Sequence, residues 1–341
     1  MIDQEVKRNI LAISYLGPHL PRYAKKNLRI INKEFRNIEK IIVCDSAKIA
    51  SESRKLGWIP IVVDANSSLK PLRKLIGQDQ NFRYDYWFRV MARLFVLEAV
   101  YEQFGDISLL HIEVDVRLSR NFPFSRLFSV TEELAFPLHD LGRGAASIFF
   151  IKNKRAMLHF KEFFYSSLRR NSMTNDMEIL YNYWKNYSSR VQILPTLPLC
   201  EHLDNQTINP KLLEILRSGL SSFGGMFDAL ACGTYFFGWD PRNNKGKRLS
   251  FSTESKQFLV PNNSILKIKS GLIQLHCNEC QIETNLFNLH IHSKDPKAFS
   301  RSYFKILVKI RSQKAMKGPK YEWTVRIIYR WTKSINDSLV R

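Results

Sequence analysis

The chain has 341 residues, 45% of them hydrophobic, enough for a sizeable core and against wholesale disorder. No run approaches the roughly 18 apolar residues of a membrane-crossing helix, and MIDQEVKRNI carries charge where a signal peptide needs an apolar stretch, so a cytoplasmic location is expected. A formal net charge of +21 calls for an anionic partner: nucleic acid, an acidic membrane surface or a phosphorylated substrate.

In chain order, RNILAISYLG reads as a first strand whose apolar run ends at Ser14 and Tyr15, before a Gly-Pro turn. PRYAKKNLRIINKEF has helical spacing with Pro21 near its start, and EKIIVCDS is a second strand ending at Asp45. SESRKLG reads as a short helix and WIPIVVDA as a third strand. This β-α-β-α-β order is the doubly wound signature, but no G-x-G-x-x-G or Walker sequence follows the first strand, which removes the main support for a dinucleotide fold or a phosphate-loop NTPase. FRYDYWFRVMARLFVLEAVYEQFG then predicts one long helix with Arg89 and Arg93 at i and i+4 on one face.

That helix leads into LLHIEVDVRL, in which Leu109, Leu110 and Ile112 read as a buried strand and Glu113 and Asp115 fall where the strand leaves the sheet. Open α/β sheets bind ligands at the carboxyl ends of their strands, the expected place for an acid-x-acid pair to meet a metal-bound diphosphate. An isolated triplet of this kind is also compatible with an ordinary solvated strand end, so its context decides. Further along, RGAASIFFIKN combines Gly144, Ala145 and Ala146 before a strand, and TNDMEIL opens a helix at Asn175 and Asp176, either as simple N-caps or as site residues. GGMFDALACGTYFFGWDPRN is dense in Gly, aromatic residues and acids, with Asp228 and Asp240 as its carboxylates. In NLHIHSK, His290 and His292 share a face on an extended strand, and Lys294 follows.

Five cysteines, at 44, 200, 232, 277 and 280, are few, odd in number and scattered, which predicts reduced thiols; Cys277-Asn-Glu-Cys280 is a lone C-x-x-C and receives no role. Residues 301–341 hold eleven Lys/Arg and two acids interleaved with apolar residues. Gly318-Pro319 divides the segment into two helical pieces, and in the second Trp323, Ile327 and Trp331 recur at four-residue spacing beside Arg326, Arg330 and Lys333. Anionic lipid or the protein's own core is the surface such a stripe would meet.

The order of these parts resembles a glycosyltransferase of the GT-A fold over roughly residues 9–296. Glu113-Val114-Asp115 resembles that family's acid-x-acid motif, with Glu where Asp is commoner. The resemblance implies an α/β fold with a Rossmann-like mixed sheet flanked by helices in residues 1–300, followed by the basic helical segment 301–341. It implies a nucleotide-sugar donor, a saccharide or lipid-linked acceptor in cell-surface glycan synthesis, and Mn2+ or Mg2+ held by Asp115, Glu113 and His292, with His290 a fold residue. Tyr15, Asp45, Arg89, Arg93, Glu113 and Lys294 are the expected nucleotide and diphosphate contacts. An inverting reaction needs a carboxylate to take the acceptor proton, for which Asp228 and then Asp176 are the candidates; a retaining one would leave them to orient the sugar. Two other classes stay open. A nucleic-acid-binding protein would explain the charge, although no zinc-finger, RNA-recognition or helix-turn-helix signature is present, and a nucleotidyltransferase would also use paired acids and metal.

Overall fold

The computed structural model describes residues 8–79, 81–83, 85–200, 208–243, 253–254, 256–262 and 264–299. The basic segment 301–341, with Trp323, Ile327 and Trp331, lies outside the described residues.

The first half alternates strands and helices: β1 (Arg8–Tyr15), α1 (Arg22–Glu34), β2 (Glu39–Cys44), α2 (Ala47–Arg54), β3 (Ile59–Val62), α3 (Ala65–Ser68), α4 (Lys70–Leu75), α5 (Tyr86–Phe95), α6 (Glu98–Phe104) and β4 (Ile107–Ile112). Then follow β5 (Val116–Leu118), α7 (Phe124–Phe128), β6 (Leu134–Asp140), β7 (Arg143–Gly144), β8 (Ile148–Ile151), α8 (Lys154–Arg170), α9 (Asp176–Asn186) and β9 (Val191–Leu194). The last described part holds α10 (Pro210–Phe223), α11 (Ala231–Phe237), β10 (Ser264–Lys269), β11 (Leu272–Cys277), β12 (Glu283–Asn285) and β13 (Asn288–His290).

The main sheet runs β3-β2-β1-β4-β8-β6-β7, with β9 beside β6. Strands β1 to β4 are parallel, β8 runs antiparallel between β4 and β6, and β9 is parallel to β6, which is the mixed sheet expected. Every residue of β4 is buried, as a central strand covered on both faces requires. The chain leaves β1 toward β2 on one side, while β4 lies on the other. The crevice at their carboxyl ends is therefore the switch point where such sheets take ligands.

The long helix expected over residues 82–105 is two helices, α5 and α6, with Val96 and Leu97 in the bend between them. Phe95, Val96 and Leu97 are all buried at this break, so the break lies in the core. The expectation of reduced thiols agrees with the free Cys44, Cys232 and Cys277 but is corrected for the other two. Cys200, after β9, forms a disulfide with Cys280, 80 residues on.

Two local clips fasten distant segments, the first of them at the acid loop itself. In α1, Ala24, Leu28 and Ile31 supply the apolar stripe, and Asn27 lies fully buried among them. Its amide donates to the Val114 carbonyl at 3.0 Å and the Val116 carbonyl at 2.7 Å, pinning the turn between β4 and β5. At the far end of β6, Arg143 bridges Asp140 and Glu254, and Glu254 also meets His139 at 3.4 Å. Burial opposes charge on Glu254, but hydrogen bonds from His139 and Arg143 prevail and hold its carboxyl down at about 2.

Asn27→Ala orphans two buried carbonyls and should lower unfolding free energy by about 2 kcal/mol, read by chemical denaturation. Because the Glu254 carboxyl is depressed from 4.5 to about 2, its stabilising contribution is complete above pH 4.5 and is lost as pH falls through 2. Glu254→Gln should flatten the acid limb of stability against pH in that window; an unchanged limb would show that the ion pair does not stabilise the fold.

Candidate active site

The loop Glu113–Asp115 leaves β4 directly, and β5 begins at Val116. Strand β13 returns antiparallel to β5, with His290 opposite Val116 and Leu289 opposite Arg117. The Ile291 amide donates to the Asp115 carbonyl at 2.9 Å, so the returning strand is stitched to the acid loop itself. This register sets the His290 ring against both acids: its Nε2 lies 2.9 Å from Glu113 Oε2 and 3.6 Å from Asp115 Oδ1. Its Nδ1 sits 3.3 Å from the Ala229 carbonyl, which directs Nε2 toward the carboxylates.

The geometry reverses the order expected of the two histidines. Strand β13 ends at His290 and the chain turns, so the two-residue alternation that was to align His292 with it does not extend that far. His292 Nδ1 instead accepts from the Asp240 amide at 3.0 Å, away from the acid pair. Burial, reinforced by Lys294 and His290, pushes the His292 ring down to about 3, so it is neutral. Lys294 has φ of +53°, a left-handed conformation uncommon for a residue with a β-carbon, and its ammonium returns to within 2.9 Å of Asp115 Oδ2.

A half-buried cation completes the cluster. Arg93, from α5, contacts Glu113 and reaches Asp176 Oδ2 at 2.8 Å. Burial alone would raise Glu113, but Arg93 and His290 outweigh it and hold its carboxyl at about 2. Asp115 is likewise held well below the usual range, with Lys294 and His290 overcoming its burial. Burial would discharge His290, yet the two carboxylates lift its ring to about 10. Asp176 differs: burial dominates and raises it, despite Arg93.

A cleft of about 300 Å3 opens over these groups. Tyr15, Arg89, Arg93, Glu113, Asp115, Asp176, His290, His292 and Lys294 all line it, so most of the residues singled out in the sequence converge. Among the described residues Arg89 meets no carboxylate. Asp45 does not line the cleft; its Oδ1 accepts from the Gly17 amide at 2.9 Å and shapes the turn after β1.

Asp228 is also outside the cleft and only 1% exposed. One carboxylate oxygen accepts from Cys232, and the other accepts from the Gly233 and His290 amides, all at 2.8–3.0 Å. Asp228 thus fastens α11 to β13, and no oxygen is left aimed at a substrate. Burial nonetheless pushes its carboxyl up against those donors. The glycines nearby serve the same docking: a β-carbon on Gly233 would lie 1.8 Å from the His290 carbonyl. Gly144 is likewise packed, its absent β-carbon filled toward Leu180 and Phe136, whereas Ala145 and Ala146 reach the cleft. Asn175 and Glu178 form a capping box, so Asn175 caps the start of α9 while Asp176, one position on, faces Arg93.

Arg83, Tyr86 and Arg242 line the cleft without having been singled out. Arg83 and Arg242 both hold Asp240, at 3.0 and 2.6 Å. Their sequence signal was weak, one basic residue in RYDYW and another in WDPRN, each beside aromatic residues.

No protein-family model matches the sequence, and no curated protein matches it. Several solved structures are similar to parts of the chain. An active-site mutant of LgtC has a TM-score of 0.41 at 14% identity, over 62% of this chain and 83% of that one. The apo bifunctional glycosyltransferase WbbM has a TM-score of 0.38 at 14% identity, over 64% of this chain; the chain spans 45% of WbbM's length. CMP:2-keto-3-deoxy-manno-octonic acid synthetase complexed with CTP has a TM-score of 0.34 at 7% identity, over 63% of this chain and 99% of that one.

Proposed function

We propose that this chain is a GT-A-type glycosyltransferase that takes a sugar from a nucleotide-sugar donor and passes it to a saccharide or lipid-linked acceptor in cell-surface glycan synthesis. The observation that carries the reading is the return of β13 onto the acid loop. It gathers Glu113, Asp115, His290 and Lys294 at the carboxyl ends of β1 and β4, under a cleft that also holds the uncommitted cation Arg89.

Glu113 and Asp115 offer oxygen donors and His290 a nitrogen donor once an entering cation displaces its ring proton to solvent; the atoms lie mutually within 4.8 Å, a set that fits Mn2+ or Mg2+, with His290 in the place first expected for His292. When bound there, the cation supplies Lewis-acid stabilisation of the departing diphosphate. Lys294 and Arg89 bring positive charge to the same phosphates, Lys294 exchanging Asp115 for a phosphate oxygen. Arg93 keeps Glu113 and Asp176 oriented from beneath. Of the two carboxylates considered as proton acceptor, Asp176 faces the cleft and burial raises it, which favours it over Asp228 in an inverting reaction; a retaining reaction leaves it to orient the sugar. Tyr15 and Tyr86 line the cleft in which the donor would pack.

The net charge of +21 and the basic, tryptophan-bearing composition of residues 301–341 support attachment to an anionic membrane surface, where a lipid-linked acceptor would reside. Among the described residues no helix is long and apolar enough to cross a membrane.

A panel of sugar nucleotides incubated with the protein and Mn2+ should release nucleoside diphosphate from one donor. Pyrophosphate release from nucleoside triphosphates, without diphosphate release from any sugar nucleotide, would replace this reading with nucleotidyl transfer. Asp115→Asn should lower kcat/KM with the active donor by about 100-fold or more while the circular dichroism spectrum is retained. In calorimetry with nucleoside diphosphate and Mn2+, His290→Ala should weaken binding by about tenfold or more, and His292→Ala by much less. The opposite order would return the ligand role to His292.

A further inference from the structure

We propose that Cys200, Cys277 and Cys280 form a thiolate site for a Zn2+-type cation, separate from the acid cluster and structural in role. Cys277 and Cys280 bracket the turn joining β11 to β12. The Cys277 amide donates to the Ile282 carbonyl at 3.0 Å, and Gln281 adopts φ of +57°, closing a tight turn that aims two sulfurs at one point. Cys200 comes from the connection after β9 and meets both: it is disulfide-bonded to Cys280, and its Sγ lies 3.2 Å from Cys277 Sγ. All three sulfurs lie within 4.8 Å of one another.

The odd sulfur is what favours a metal. A disulfide satisfies two of the three and leaves the buried Cys277 thiol touching them with no chemical task, whereas a cation uses all three. A C-x-x-C turn plus a distant cysteine is a zinc-ligand pattern, and it leaves one coordination position for a further donor. Soft thiolates favour zinc-like ions, whereas the Glu113 and Asp115 set is oxygen-rich. An added dithiol reduces Cys200–Cys280 with two electrons and two protons, giving two thiols and a cyclic disulfide of the dithiol. Zn2+ then displaces the thiol protons to solvent. The site would tie the segment after β9 to the small sheet whose last strand, β12, leads into β13 and His290.

The test uses the full chain, reduced with dithiothreitol, incubated with Zn2+ and desalted, with metal measured by mass spectrometry. The wild type should retain about one Zn2+. Cys277→Ser, which leaves the Cys200–Cys280 pair intact, should retain at least about tenfold less, and Asp115→Asn should retain as much as the wild type. Substitution of Co2+ into the wild type should give a thiolate-to-cobalt charge-transfer band, a readout that stands even if Cys277→Ser does not fold. A wild type that holds no Zn2+ and shows no such band overturns the proposal, as does Zn2+ unchanged in Cys277→Ser or lost in Asp115→Asn.

Discussion

Arg93 is the point on which the site turns. A guanidinium placed between Glu113 and Asp176 beneath the cleft is tolerable only because both carboxylates meet it, and they in turn are tolerable only because it is there. The three residues come from α5, the end of β4 and the start of α9, so one ion cluster ties together segments more than eighty residues apart in the chain. Removing one partner leaves a desolvated charge, a defect worth several kcal/mol, so the cluster is both an electrostatic device and a structural one.

Around it the charges alternate. Glu113 and Asp115 face His290, Asp115 faces Lys294, and Asp240 is gripped by Arg83 and Arg242. Arg89 stands in the cleft with no carboxylate among the described residues. The cations therefore exceed the acids they pair with, and a site so arranged has both ligands for a hard cation and positive charge left for an anion. Polyphosphate chemistry asks for that combination.

The fastening of β13 is a second layer of the same design. Asp228 spends its carboxylate on backbone amides of α11 and β13, Asn27 spends its amide on the carbonyls flanking the acid loop, and Gly233 permits the close approach between them. None of these three touches the cleft, yet each fixes where a cleft residue sits. The proton-acceptor role that the resemblance implies for Asp228 is not distinguished by sequence, since a carboxylate in a Gly-rich aromatic segment looks the same whether it faces substrate or amides.

The sequence by itself determined the early strands, the first helix, the exit of Glu113 and Asp115 from a buried strand and the placing of Arg89 and Arg93 on one helix, because these follow from local periodicity and burial. It also marked His290, His292 and Lys294 as a group. Only the tertiary structure decided which histidine meets the acids, since that depends on the register of β13 against β5 and on where the strand stops. It likewise decided that Asp176 faces the cleft and Asp228 does not, and that Cys200 meets the 277–280 turn. Those are contacts between residues distant in the chain, and spacing along a chain carries no record of which distant segments fold together.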